Sequence, residues 1–153
     1  MRGSRRQSRE ATLQILYQLD ANPELQPDAA IALFLGELNR GNDDSEPPMP
    51  SGGTPTPVRK ADLDADWIRG RVVGVTAQRT VLDEKLSSVS RNWRVDRMSR
   101  LDRNILRLAL YELTLPDDLP RQVVFNEAIE LAKRFGTAEA PAFINGVLES
   151  ASK

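Results

Sequence analysis

At 153 residues the chain is about one domain long, enough to bury a core without covalent staples. It contains no cysteine and no histidine, which excludes disulfides, thiolate nucleophiles, and catalysis or metal binding through histidine or cysteine. The formal net charge of -1 is uninformative as a sum, yet Arg2, Arg5, Arg6 and Arg9 crowd the amino terminus with only Glu10 beside them.

Taken in order, the pattern predicts a first helix over 5–20, started by Ser4 and Gln7 at capping-box spacing and closed by Asn22-Pro23. Ala11, Thr12, Ile15, Leu16 and Leu19 should face inward, leaving Gln7, Glu10, Gln14 and Gln18 as a wet face. A second helix follows from Pro27-Asp28 to about Arg40, with Ile31, Phe34, Leu35 and Leu38 apolar. Residues 41–60 change character: Pro47, Pro48, Pro50, Pro55, Pro57 and Gly52-Gly53 read as a flexible linker. No Lys-Ser/Thr follows those glycines, so a phosphate-cradling loop is the poorer reading.

A long third helix is expected over 62–89, where Ile68, Val72, Val75, Leu82, Leu86 and Val89 keep a nearly heptad spacing. Packing inside the chain explains that spacing more simply than a coiled-coil dimer. Then Arg91, Arg94, Arg97 and Arg100 recur every three residues around Trp93, itself better read as core. The next stretch, LDRNILRLALYEL from Leu101 to Leu113, is apolar over more than half its circumference, so other helices should wrap it. Its polar arc of Arg103, Asn104 and Arg107 should reach water, and Glu112 should meet Arg94, Arg97 or Arg100, since an unpaired buried carboxylate is costly. Two more helices complete the chain. One runs from Pro120 to just before Gly136, with Glu130 and Arg134 paired across a turn, and the last starts near Glu139. Asn145-Gly146 could form a hairpin, but no other segment reads as a strand to join it; Gly146 within a helix then implies a close neighbouring backbone.

The expected fold is therefore an all-α compact helical bundle in a single domain. For function, two readings of the arginines at the amino terminus stay open. They form a solvated face, or they meet RNA phosphates bidentately while Tyr17, further along the same helix, stacks on an unpaired base. Four positive charges oppose the helix dipole, so an external anion would explain them. About four such contacts would give a log-log salt slope near about -3 on single-stranded RNA. Carboxylates at Asp43-Asp44, Asp62-Asp64-Asp66 and Asp83-Glu84 suit caps and surface pairing better than acid/base work, so no catalytic residue, metal or cofactor is expected. No apolar run approaches the roughly 20 residues of a membrane span, and the basic start breaks up at Gln14, Gln18 and Asp20, against a signal peptide. A cytoplasmic protein without membrane contact is expected.

RRQSREATLQILYQL, LDRNILRLALYEL, NEAIELAKRFG and FINGVLES, in this order, resemble the NusB family of transcription antitermination proteins. The resemblance covers the first helix and nearly everything after Trp67. It implies an all-α fold of two small helical bundles. It also implies that the chain binds boxA-type single-stranded RNA together with the ribosomal protein NusE, within the transcription elongation complex, and helps polymerase read through ribosomal RNA operons. Position by position, Arg2, Arg5, Arg6, Arg9 and Tyr17 match the family's RNA-contacting region, and Asp102, Glu139 and Phe143 match positions near its NusE-binding surface. The proline-rich linker departs from the family's more compact join. Because NusB-like folds also precede ribosomal RNA methyltransferase domains, fold does not settle function; the alternative is a helical protein-protein module without RNA binding, monomeric or homodimeric.

Overall fold

The computed structural model describes residues 5–39, 63–90, 94–115 and 119–151, and side chains within that set except at 37–39. The linker expected at 41–60, the cap at Ser4, and Arg2, Arg91 and Trp93 lie outside it. Among the described residues all regular structure is helical: α1 (Arg5–Ala21), α2 (Pro27–Asn39), α3 (Ala65–Ala77), α4 (Arg79–Val89), a single 3-10 turn (Val95–Arg97), α5 (Arg100–Leu113), α6 (Arg121–Phe135) and α7 (Ala140–Ala151).

Helices α1, α2 and α3 pack on one another as one small group, and α4, α6 and α7 surround α5 as a second. Helix α5 also lies against α1 and α3, so both groups share it as their axis. Its start is fixed by Ser99, whose hydroxyl accepts from the Asp102 backbone N–H at 3.0 Å. Ile105, Leu106 and Leu108 are enclosed there together with Leu13 of α1, Ile68 of α3, Leu86 of α4 and Ile144 and Leu148 of α7. Burying each such side chain is worth about 1.5–3 kcal/mol relative to leaving it in water.

Four sequence expectations are corrected. The helix expected over 62–89 is two helices, broken at Gln78, whose N–H still closes α3 on the Gly74 carbonyl while its own carbonyl opens α4 by accepting from Leu82. The break lets α3 pack on α1 while α4 turns to α5 and α7, which one straight rod could not do. The polar arc of α5 does not face water: Asn104 and Arg107 are buried, because α1 and α4 present carboxylates to them. Glu10, expected on the wet face of α1, is buried against α6.

The fourth correction concerns glycine. No atom beyond its own helix backbone comes within 4 Å of where a Cβ on Gly146 would stand, so no neighbouring backbone approaches it. The close approach is at Gly74, where a Cβ would run into the hydroxyl and ring of Tyr111 on α5. The same substitution should therefore have opposite signs at the two sites. Gly146→Ala should gain up to about 1 kcal/mol from helix propensity. Gly74→Ala must displace the Tyr111 ring and should lose about 1–2 kcal/mol after the same gain is subtracted. Urea unfolding of the two variants beside the parent checks the pair, and equal shifts would contradict it.

Candidate RNA-binding face and its ion-pair network

The first two turns of α1 carry Arg5, Arg6 and Arg9, and each lands on a carboxylate from a different part of the chain. Arg5 Nη1 donates to Asp64 Oδ2 at 2.9 Å. Asp64 is also the N-cap of α3, its Oδ1 accepting from the Trp67 backbone N–H at 3.1 Å. Arg6 sets Nη2 on Glu127 Oε2 at 2.8 Å and Nε on Glu127 Oε1 at 3.4 Å. Arg9 forms a two-pronged pair with Glu112, Nε to Oε1 at 2.9 Å and Nη2 to Oε2 at 2.6 Å, and its Nη1 lies 3.6 Å from Glu127.

These partners explain the arginines on an opposed helix dipole without an external anion. They also correct the expected partner of Glu112, which is Arg9, with Arg71 at 3.4 Å, and none of Arg94, Arg97 or Arg100. Arg100 begins α5 and Glu112 is in its last turn; twelve residues of helix hold them about 18 Å apart.

Burial separates the arginines further. The Arg9 side chain is 5% exposed and its Glu112 partner 2%, so Arg9 as it stands offers nothing to a phosphate. Arg6 is 59% exposed and Arg5 38%. Trp67, which sequence reading did not single out, has the guanidinium carbons of Arg5, Arg9 and Arg71 at 5.1, 5.2 and 4.4 Å from its ring centre. The electron-rich faces of an aromatic ring attract cations in this way. The only sequence hint was its place on the third turn-position after the Asp64 cap.

A cleft of about 250 Å³ between α1 and α6 is bordered by Arg6, Glu10, Glu127, Glu130, Lys133 and Arg134. Arg134 Nε lies 3.2 Å from Glu10, and Lys133 Nζ 3.7 Å from Glu130. The Glu127 hydrogen bond, then its charge, holds the Arg6 guanidinium protonated above its ordinary range. Burial pushes the Glu10 carboxyl up, opposed by the charges of Arg134 and Arg6.

Tyr17 is half-buried on the core, with the Arg100 guanidinium 5.6 Å from its ring centre. It lies eight residues beyond Arg9 on α1, about 12 Å along the helix. The arginines and Tyr17 are thus strung along α1 rather than gathered. Asp102 belongs to the Tyr17 end, on the first turn of α5. Burial raises its carboxyl, against a hydrogen bond with Ser99 that lowers it. Leu101 reaches Gly136 in the turn between α6 and α7, 3.6 Å from where a Cβ would stand. That turn leads to Glu139, which is exposed, and then to Phe143, half-buried on the core. The start of α5, with Asp102, therefore lies beside the turn that leads to Glu139, and Arg9 pairs near the far end of α5.

Among the described residues no group of three or more Asp or Glu side chains is arranged to hold a metal ion, and no helix is long and apolar enough to cross a membrane. The fold and its polar network define an all-α helical module whose buried charges are spent on joining helices. The NusB family model matches residues 6–153. Transcription antitermination protein NusB of Myxococcus xanthus is 40% identical over 96% of this chain and 93% of its own, and that of Bacillus thuringiensis 35% identical over 95% of each. NusB of T. maritima superposes with a TM-score of 0.75 at 29% identity, covering 99% of this chain and 92% of that one. NusB in a crystal structure with NusE and double-stranded RNA superposes at 0.71 and 22% identity, over 96% and 94%, a likeness of fold. The chain belongs to the NusB family of transcription antitermination proteins.

Proposed function

We propose that this chain is a cytoplasmic, non-enzymatic antitermination factor that binds boxA-type single-stranded RNA together with NusE in the transcription elongation complex, promoting read-through of ribosomal RNA operons. It acts as a single domain. The family match over residues 6–153 carries the reading. Its RNA face is the leading edge of α1, with Arg5 and Arg6 on phosphates, Arg2 ahead of them, and Tyr17 further along against a base. Arg9 shapes this face from beneath through Glu112 and Glu127. Asp102, Glu139 and Phe143 face NusE toward the start of α5, the end at which Tyr17 also lies, so the RNA runs along α1 from the arginines toward the protein partner.

With Arg9 withdrawn, three phosphate contacts remain and the salt slope falls to about -2. Anisotropy titration of a fluorescein-labelled boxA RNA, with and without NusE, measures it. Arg6→Ala should weaken binding about fivefold, the value of one exposed ion pair. Unchanged affinity in an Arg5→Ala/Arg6→Ala variant would remove RNA from this face. The internal pairing of Arg5, Arg6 and Arg9 favours a second reading, a helical module that holds a protein partner and no RNA. Capture of NusE without RNA affinity in the same titration selects it.

A further inference from the structure

We infer that Glu127 occupies the place of an RNA phosphate on Arg6, so that RNA engages the first turn of α1 by exchanging with this carboxylate. The inference rests on the RNA reading above and adds an internal competitor to it. Two nitrogens of Arg6 meet two oxygens of Glu127, the forked geometry a guanidinium also gives a phosphate. The two partners are not equally mobile. Arg6 is 59% exposed and free to swing outward, whereas Glu127 is 14% exposed and its carboxylate is also held by Arg9 at 3.6 Å.

When Arg6 leaves, Glu127 therefore stays behind with a cation beside it. That makes the exchange inexpensive. The neighbouring pairs are built differently. Arg9 and Glu112 are both enclosed, and Asp64, the partner of Arg5, is tied to the cap of α3. The remaining charges at the cleft are engaged with one another, Glu10 with Arg134 and Glu130 with Lys133. Glu127 thus sets how much of the positive charge on this turn an incoming strand can use. It weakens binding and disfavours any anion that cannot match the fork.

Anisotropy titration of fluorescein-labelled boxA RNA with the full chain, over a series of KCl concentrations, tests this. Glu127→Gln should bind about two- to fivefold more tightly, the value of the exposed pair it removes. Its salt slope should steepen by up to about 0.7, since Arg6 then neutralises a phosphate without unmasking a carboxylate. Glu130→Gln removes a nearby charge not hydrogen-bonded to Arg6 and should gain clearly less. In an Arg6→Ala background the gain from Glu127→Gln should vanish. Should Glu127→Gln unfold, Glu127→Asp draws the carboxylate back by one methylene and should shift affinity the same way. Equal gains from both glutamines, a gain that survives Arg6→Ala, or no gain overturns the exchange while leaving the RNA reading intact. If Arg6→Ala alone leaves RNA binding unchanged, the RNA face on this turn fails as well.

Discussion

Glu112→Ala should cost about 3–5 kcal/mol of folding stability, the penalty for stripping one partner from a buried ion pair. Arg9 would keep its positive charge in a site that is 5% exposed, with the more distant Glu127 as its remaining carboxylate among the described residues. Arg71, which also reaches Glu112, would lose that partner. Because Arg9 is on α1, Arg71 on α3 and Glu112 on α5, the loss falls on the joint between the two helical groups. Glu112→Gln keeps the shape and part of the hydrogen bonding and should cost less. An Arg9→Met/Glu112→Leu variant removes both charges and should recover most of the loss, since apolar replacement of a buried pair is often neutral or better. Urea unfolding at pH 7 reads all three. A loss under 1 kcal/mol for Glu112→Ala would mean that water reaches the pair.

The second large effect is at the opposite end of α5. Asp20 of α1 accepts at Oδ2 from Arg103 Nε at 2.8 Å, Asn104 Nδ2 at 2.9 Å and Arg107 Nη1 at 3.1 Å, and at Oδ1 from Arg79 Nη2 at 3.3 Å. Arg107 reaches across to Asp83 of α4 through two further bonds of 2.7 and 2.8 Å. Asp20→Ala should cost about 3 kcal/mol, less than a sole partner would, because Asp83 still compensates Arg107. Burial alone would raise the Asp20 carboxyl, but hydrogen bonds from Arg103 and Asn104 and the charges of Arg107 and Arg103 outweigh it and hold the group below its ordinary value of 3.8. A folded-state value below the unfolded one means the stabilisation is complete above that ordinary value and is lost as pH falls through the folded one. Parent and Asp20→Asn stability curves should therefore lie apart at neutral pH and converge in strong acid. Parallel curves down to the acid limit would contradict this account of Asp20.

Much of the fold could be read from periodicity. The near-continuous apolar surface of Leu101–Leu113 announced a helix wrapped by others, and α5 does touch α1, α3, α4, α6 and α7. Pro120 and Gly136 marked boundaries because caps act through neighbouring backbone groups. The motifs carried the family.

What only tertiary structure decided is where the charges go. Glu112 and Arg9 are 103 positions apart, and no local spacing records such a pairing. A polar arc on one helix looks solvated until carboxylates from two others close over it, as Asp20 and Asp83 do over Arg107. The arginines of α1 showed in the sequence as surplus positive charge, and only packing divided them into the buried Arg9 and the reachable Arg6. Helical periodicity reports which side of a segment avoids water, a property of that segment; the neutralisation of a charge depends on which distant segments arrive beside it.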